Sequence, residues 1–131
     1  MEPKYIVDTN VILRFLLADN KELYQRALAY FKKAETGKIK LIIPLIVLVQ
    51  VIWVLYRSYS YDKSEIAKAL IQLQNLKGVH ILNREKFYQV LSIWLKIPGI
   101  DFIDAYILYM SRKNNTPLLT FDKKLNKHQQ I

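Results

Sequence analysis

The sequence contains no cysteine, which excludes a disulfide framework, a zinc site built on thiolates and a cysteine nucleophile. Glycine and proline are scarce, at 3 and 4 residues in 131, too few for a disordered linker or a low-complexity tract. Histidine is confined to His80 and His128, far apart and with no second ligand at metal spacing, so neither is read as a catalyst. Long apolar runs are missing as well. The most apolar stretch, Leu41 to Leu55, is interrupted by Pro44 and Gln50 and falls short of the roughly 20 residues that span a bilayer, so no membrane partner is expected. No extended apolar segment with a small-residue cleavage site follows Met1, and a cytoplasmic protein is expected. Acids are the minority charge. Eleven Asp and Glu stand against 20 Lys and Arg, a net charge of +9, and such a surplus attracts polyanions, with nucleic acid the first candidate.

Against these absences stands a hydrophobic fraction of 52% in 15.5 kDa, enough for one globular domain over residues 1–131 with a core of its own. Tyr5-Ile6-Val7 reads as a short buried strand that ends at the polar triplet Asp8-Thr9-Asn10. Leu23, Ala27, Tyr30 and Phe31 recur at helical spacing until Gly37, and Ile39 to Ile43 gives a second strand that Pro44 closes. Leu45 to Tyr56 is almost wholly apolar and long enough for a buried helix, with Gln50 its polar exception. Asp62-Lys-Ser-Glu65 resembles a capping box opening a helix that Gly78 ends; Val79 to Leu82 is a third strand and Arg84 to Lys96 another helix. Asp101 can cap a helix running to about Asn114, and Leu118-Leu119-Thr120 reads as a fourth strand, with Asp122 just beyond it. Short apolar strands alternating with helices predict an α/β fold whose mainly parallel sheet is covered on both faces. Ligands then sit beyond the carboxyl ends of the strands.

The acids fall into two groups on this map. Asp19, Glu22, Asp62, Glu65 and Glu85 lie near helix starts, where the dipole favours a carboxylate, and Glu2 and Glu35 read as solvated surface. Asp8 and Asp122 follow two predicted strands, which places them on one edge of a parallel sheet, while Asp101 and Asp104 share the first turn of one helix. Taken singly, each has an ordinary reading as a cap or a turn residue. Together they would repel one another and call for a cation, for which Mg2+ or Mn2+ is suited, because hard divalent ions prefer oxygen ligands. A metal of that kind can serve phosphodiester hydrolysis without a Ser, Cys or His nucleophile.

The segments IVDTNVILRFLL, PLIVLVQVIWVLYRS, DFIDAYIL and LLTFDKKL resemble, in order and over nearly the whole chain, the successive motifs of PIN domains, particularly VapC toxins. The resemblance implies a three-layer α/β/α fold with a mainly parallel sheet of four to five strands and a metal-dependent endoribonuclease activity. It also implies assembly as a homodimer and inhibition by a cognate antitoxin protein. It makes Asp8 the first metal-binding acid, with Thr9 and Asn10 the polar pair that orients it. Asp104 becomes the third acid, Asp101 an additional one, and Asp122 the last, with Thr120 the hydroxyl two residues before it. The second acid of the family, a Glu, falls on Gln50.

Glutamine keeps the size of glutamate but brings no charge and cannot act as a general base. Three readings stay open: a natural variant that still cuts slowly, a binding-only relative, or an engineered Glu-to-Gln change. As an ordinary structural residue, Gln50 would be a buried amide in an apolar helix. Arg14, Lys123 and Lys124 are candidates for holding RNA phosphates, with a solvated helix face as the equal alternative. Tyr56, Tyr59 and Tyr61 surround Arg57 and could stack on unpaired bases, or pack against a partner. The expected function is an Mg2+- or Mn2+-dependent endoribonuclease. The alternatives are a catalytically inactive RNA- or antitoxin-binding module and, ranked low, a phosphoacceptor domain, since the third strand ends in Leu82-Asn83 and not in Asp.

Overall fold

A computed structural model describes residues 3–129, in two compact units that divide between Arg84 and Glu85. Glu2, expected at the surface, lies outside the described residues. The first unit runs β1 (Lys4–Ile6), α1 (Thr9–Leu17), α2 (Lys21–Glu35), β2 (Lys40–Ile43), α3 (Leu45–Trp53), a π-helical turn (Val54–Ser58), α4 (Lys63–Gln74) and β3 (Val79–Ile81). The strands are parallel in the order β1-β2-β3, with Tyr5 opposite Leu41 and Leu41 opposite Val79. Parallel neighbours require helical crossovers, and this is the α/β/α arrangement read from the sequence.

Three features differ from the sequence expectation. Three strands form among the described residues rather than four to five. Leu118-Leu119-Thr120 is not a strand: the side-chain amide of Gln129 donates to the Leu118 carbonyl at 2.8 Å and accepts the Leu118 N–H at 3.0 Å. Both ladder groups of Leu118 are thereby occupied, and Leu119 and Phe121 are 91% and 99% exposed. Secondly, β1 is not buried. It is an edge strand with a single neighbour, and Ile6 is 68% exposed.

The third difference is α1. Thr, Asn, Val and Ile are mediocre helix formers, yet Thr9-Asn10-Val11-Ile12 opens a helix. Asp8 caps it by accepting the Thr9 N–H at 2.7 Å, Ile12 is fully buried, and the Phe15 ring stacks on Phe31 of α2 with centroids 4.0 Å apart. Packing and capping override propensity here. Elsewhere the local signals hold. The capping box at α4 forms, with the Asp62 N–H donating to Glu65 Oε1 at 3.2 Å.

The core of this unit includes Ile12, Ile43, Leu48, Val51, Ile52, Ile66, Leu70 and Leu73. One glycine is required by geometry. Gly78 has φ +82°, a Cβ built on it would press against the Ala34 carbonyl oxygen at the end of α2, and its own carbonyl accepts the Leu41 N–H at 2.8 Å. Replacing Gly78 with Ala is expected to cost about 2–4 kcal/mol, combining left-handed strain with the clash. Urea denaturation checks this; a loss under about 0.5 kcal/mol, the size of an ordinary surface change, would remove the packing argument.

The second unit holds α5 (Arg84–Lys96), which begins at the division, then α6 (Phe102–Lys113) and the short α7 (Lys123–Lys127). Trp94, Phe87, Phe102 and Leu108 are buried. The Trp94 ring meets Phe102 edge-on at 5.6 Å, and its indole N–H donates to the Ile100 carbonyl at 3.1 Å, so the turn from α5 into α6 is anchored by packing and by a hydrogen bond. No helix of the described residues is long and apolar enough to cross a membrane.

Candidate functional site

In the first unit the site residues gather around Thr9. Asp8 follows β1 in an extended conformation and, as the cap of α1, spends Oδ1 on the Thr9 N–H. Thr9 is 7% exposed. Its hydroxyl donates to Oε1 of Gln50 on α3, 41 residues later, at 2.7 Å. One buried threonine therefore joins Asp8 to Gln50. The glutamine is not a buried amide, as the ordinary structural reading would have it: Ile46, Gln50 and Trp53 are all exposed and, at helical spacing, form one stripe along α3. With Oε1 engaged by a hydroxyl donor, the free terminus of Gln50 is Nε2, itself a donor. A carboxylate at this position could accept the same Thr9 proton and keep its second oxygen for a cation.

Asn10 and Arg14 are one turn apart on α1. Arg14 Nη1 reaches Asp19 Oδ1 at 3.4 Å, in an exposed pair of a kind that contributes little.

In the second unit Asp101 and Asp104 form a capping box at the start of α6, with the Asp101 N–H donating to Asp104 Oδ2 at 3.3 Å. Asp122 caps α7: its Oδ1 accepts the N–H groups of Lys124 at 2.8 Å and Leu125 at 3.2 Å. Thr120 orients it, because the Asp122 N–H donates to Thr120 Oγ1 at 3.0 Å. The Lys124 ammonium donates to the Gly99 carbonyl at 3.4 Å, which brings α7 beside the chain that leads into Asp101. Lys123 is exposed. Asp122 thus follows an irregular segment and not the strand expected before it.

A common pattern links these acids. Every one sits in the first turn or at the cap of a helix. Asp8, Asp104 and Asp122 each give one oxygen to a backbone N–H, which sets the orientation of the carboxylate and leaves the other oxygen for a ligand. The reading as helix caps and the reading as metal ligands are therefore compatible. Among the described residues no group of three or more His, Asp or Glu could hold a metal ion as placed. The carboxylates of Asp8, Asp101, Asp104 and Asp122 are oxygen donors of the kind a hard dication prefers, whereas Gln50 Oε1 is taken by the Thr9 hydroxyl.

Two residues escaped the sequence reading. Arg26 and Tyr30 of α2 line, with Asn10 and Arg14 of α1, a cleft of about 350 Å³. Their four-residue spacing puts both on one helix face, but only the packing of α1 on α2 reveals that this face meets Asn10 and Arg14.

Comparison with known families matches residues 5–130 to the PIN domain. The chain belongs to the PIN domain family. PIN domains are generally nucleases that act on RNA with divalent metal ions. Among curated proteins no match is found.

Proposed function

We propose that the chain is a metal-dependent endoribonuclease of the VapC type, the toxin of a toxin–antitoxin module, acting in the cytoplasm. We read residues 1–131 as one domain, since the family match crosses the division at Arg84. The observation that carries the reading is the anchoring of Asp8, Asp104 and Asp122, each by one oxygen with the other left over. Asp8, Asp104 and Asp122, with Asp101, would hold Mg2+ or Mn2+. When bound, such an ion supplies an activated water and stabilises charge on the phosphodiester. The protein's own groups do the rest. Thr9 donates its N–H to Asp8 and Asn10 follows it, Thr120 holds the backbone of Asp122, and Arg14, Lys123 and Lys124 attract RNA phosphates. Gln50 holds Thr9 but adds no charge to balance a dication, so the chain as it stands is a weak nuclease.

The VapC-type reading also includes a homodimer, to which Ile52 and Leu55 contribute nothing because both belong to the core. The cognate antitoxin is the second protein partner. Incubation of pooled RNA with the purified chain should give slow cutting with Mg2+ or Mn2+ and none with chelator. Cutting that persists in chelator would sink the metal mechanism, and no cutting even after Gln50→Glu would leave a non-catalytic RNA- or antitoxin-binding module.

A further inference from the structure

The cleft lined by Arg26, Tyr30, Asn10 and Arg14 does not stand alone. A second depression on the same unit, of about 110 Å³, is lined by Asn10, Arg14 and Tyr59. The two meet at Asn10 and Arg14 on α1, with Tyr59 lining one and Tyr30 the other. The volume of the larger, about 350 Å³, lies in the range of about 300–1,000 Å³ typical of small-ligand sites.

The chemistry across the two alternates. Tyr59, 46% exposed, stacks on Tyr61 with centroids 6.3 Å apart and planes 21° from parallel. Arg14 follows, its exposed pair with Asp19 at 3.4 Å too weak to hold it against a phosphate. Arg26 has no ion pair among the described residues, although Glu22 lies four residues before it, the spacing at which one forms. Tyr30, 45% exposed, completes the series, with the Lys33 ammonium 5.5 Å from its ring centroid. Guanidinium groups between accessible aromatic rings are what single-stranded nucleic acid needs, since phosphates take the charges and bases take the rings. An acidic peptide could use the arginines but has no need of the tyrosines, so the tyrosines decide between the two occupants.

We propose that the two depressions form a binding track for single-stranded RNA, in which Arg14 and Arg26 hold phosphates and Tyr59 and Tyr30 stack on bases at either end. The track passes Asn10, two residues after Asp8 in the chain, and would set where the strand lies relative to it. It rests on the reading of the chain as an RNA nuclease, but it can be tested without cleavage.

The test is fluorescence anisotropy with a labelled ten-nucleotide single-stranded RNA, in chelator, so that no metal-dependent cutting intervenes. Arg26→Ala and Tyr59→Ala are each expected to weaken binding about ten-fold, and Arg26→Ala should lower the slope of log affinity against log salt by about one. Lys77→Ala, which removes a charge that lines neither depression, should change affinity less than two-fold. Tyr30→Leu tests stacking while retaining an apolar side chain, and melting curves verify that every variant is folded. Equal losses from Lys77→Ala and Arg26→Ala would reduce the track to diffuse electrostatics and overturn the proposal. So would an oligoglutamate peptide that displaces the RNA and binds Tyr59→Ala as well as it binds the unaltered chain. Track-dependent binding alongside cutting that ignores chelator would leave the track standing and remove only the metal mechanism.

Discussion

Gln50→Glu is expected to raise Mg2+- or Mn2+-dependent RNA cleavage by about a hundred-fold, toward the range in which a positioned acid–base group contributes. The substitution is nearly isosteric. Thr9 already donates its hydroxyl to Gln50 Oε1 at 2.7 Å, and a carboxylate accepts that proton equally well. What changes is the other terminus, where a donor amide becomes an anionic oxygen able to balance a dication or take a proton. A hundred-fold is about 2.7 kcal/mol of barrier, a modest demand on one charge. Because Gln50 is exposed, stability should shift by no more than about 0.5 kcal/mol, so a rate change cannot be blamed on folding. Thr9→Val in the Glu form is then expected to lose about ten- to a hundred-fold, as when the partner that orients a metal ligand is removed. Initial rates on one RNA substrate decide the matter. Equal rates for the Gln and Glu forms would mean that a charge at this position has no part in cleavage.

Much of the fold was legible because its signals are local. The Asp62–Glu65 capping box, the helix Arg84–Lys96 and the Asp101 cap each depend on residues within one turn, and each lies where the sequence places it. The Asp8 cap and the helical spacing of Val11, Ile12, Phe15 and Leu16 are local signals for α1 that its Thr-Asn-Val-Ile opening obscured. The rest of what was not legible depends on partners distant in the chain. Leu118 to Thr120 has the composition of a strand, but Gln129 takes both of its ladder groups from eleven residues away. The candidate site divides in the same manner. The four aspartates and Gln50 stand out by type and position. The contact between Thr9 and Gln50 spans 41 residues, and the meeting of Arg26 with Arg14 needs two helices packed together.

Changing the aspartates singly to asparagine, in the Gln50→Glu background, is expected to separate capping from catalysis. Asparagine caps a helix about as well as aspartate. Asp8→Asn and Asp122→Asn should therefore keep the bonds to the Thr9, Lys124 and Leu125 N–H groups and change unfolding free energy by less than about 1 kcal/mol. If these residues hold the cation as proposed, the same substitutions remove a charge from its ligands, and cleavage should fall on the order of a thousand-fold for Asp8→Asn, Asp104→Asn and Asp122→Asn. Asp101→Asn should cost less, on the order of ten-fold. Its carboxylate caps α6 by accepting the backbone N–H of Asp104, a duty that asparagine inherits. Alanine gives the complementary result: Asp122→Ala loses the cap as well and should destabilise by about 1 kcal/mol. Calorimetric titration with Mn2+ provides a readout independent of turnover, in which the three strong variants bind the ion more weakly while RNA affinity in chelator holds or rises slightly as negative charge is lost. If cleavage falls only for variants that also lose stability, the aspartates are helix caps and not catalytic residues.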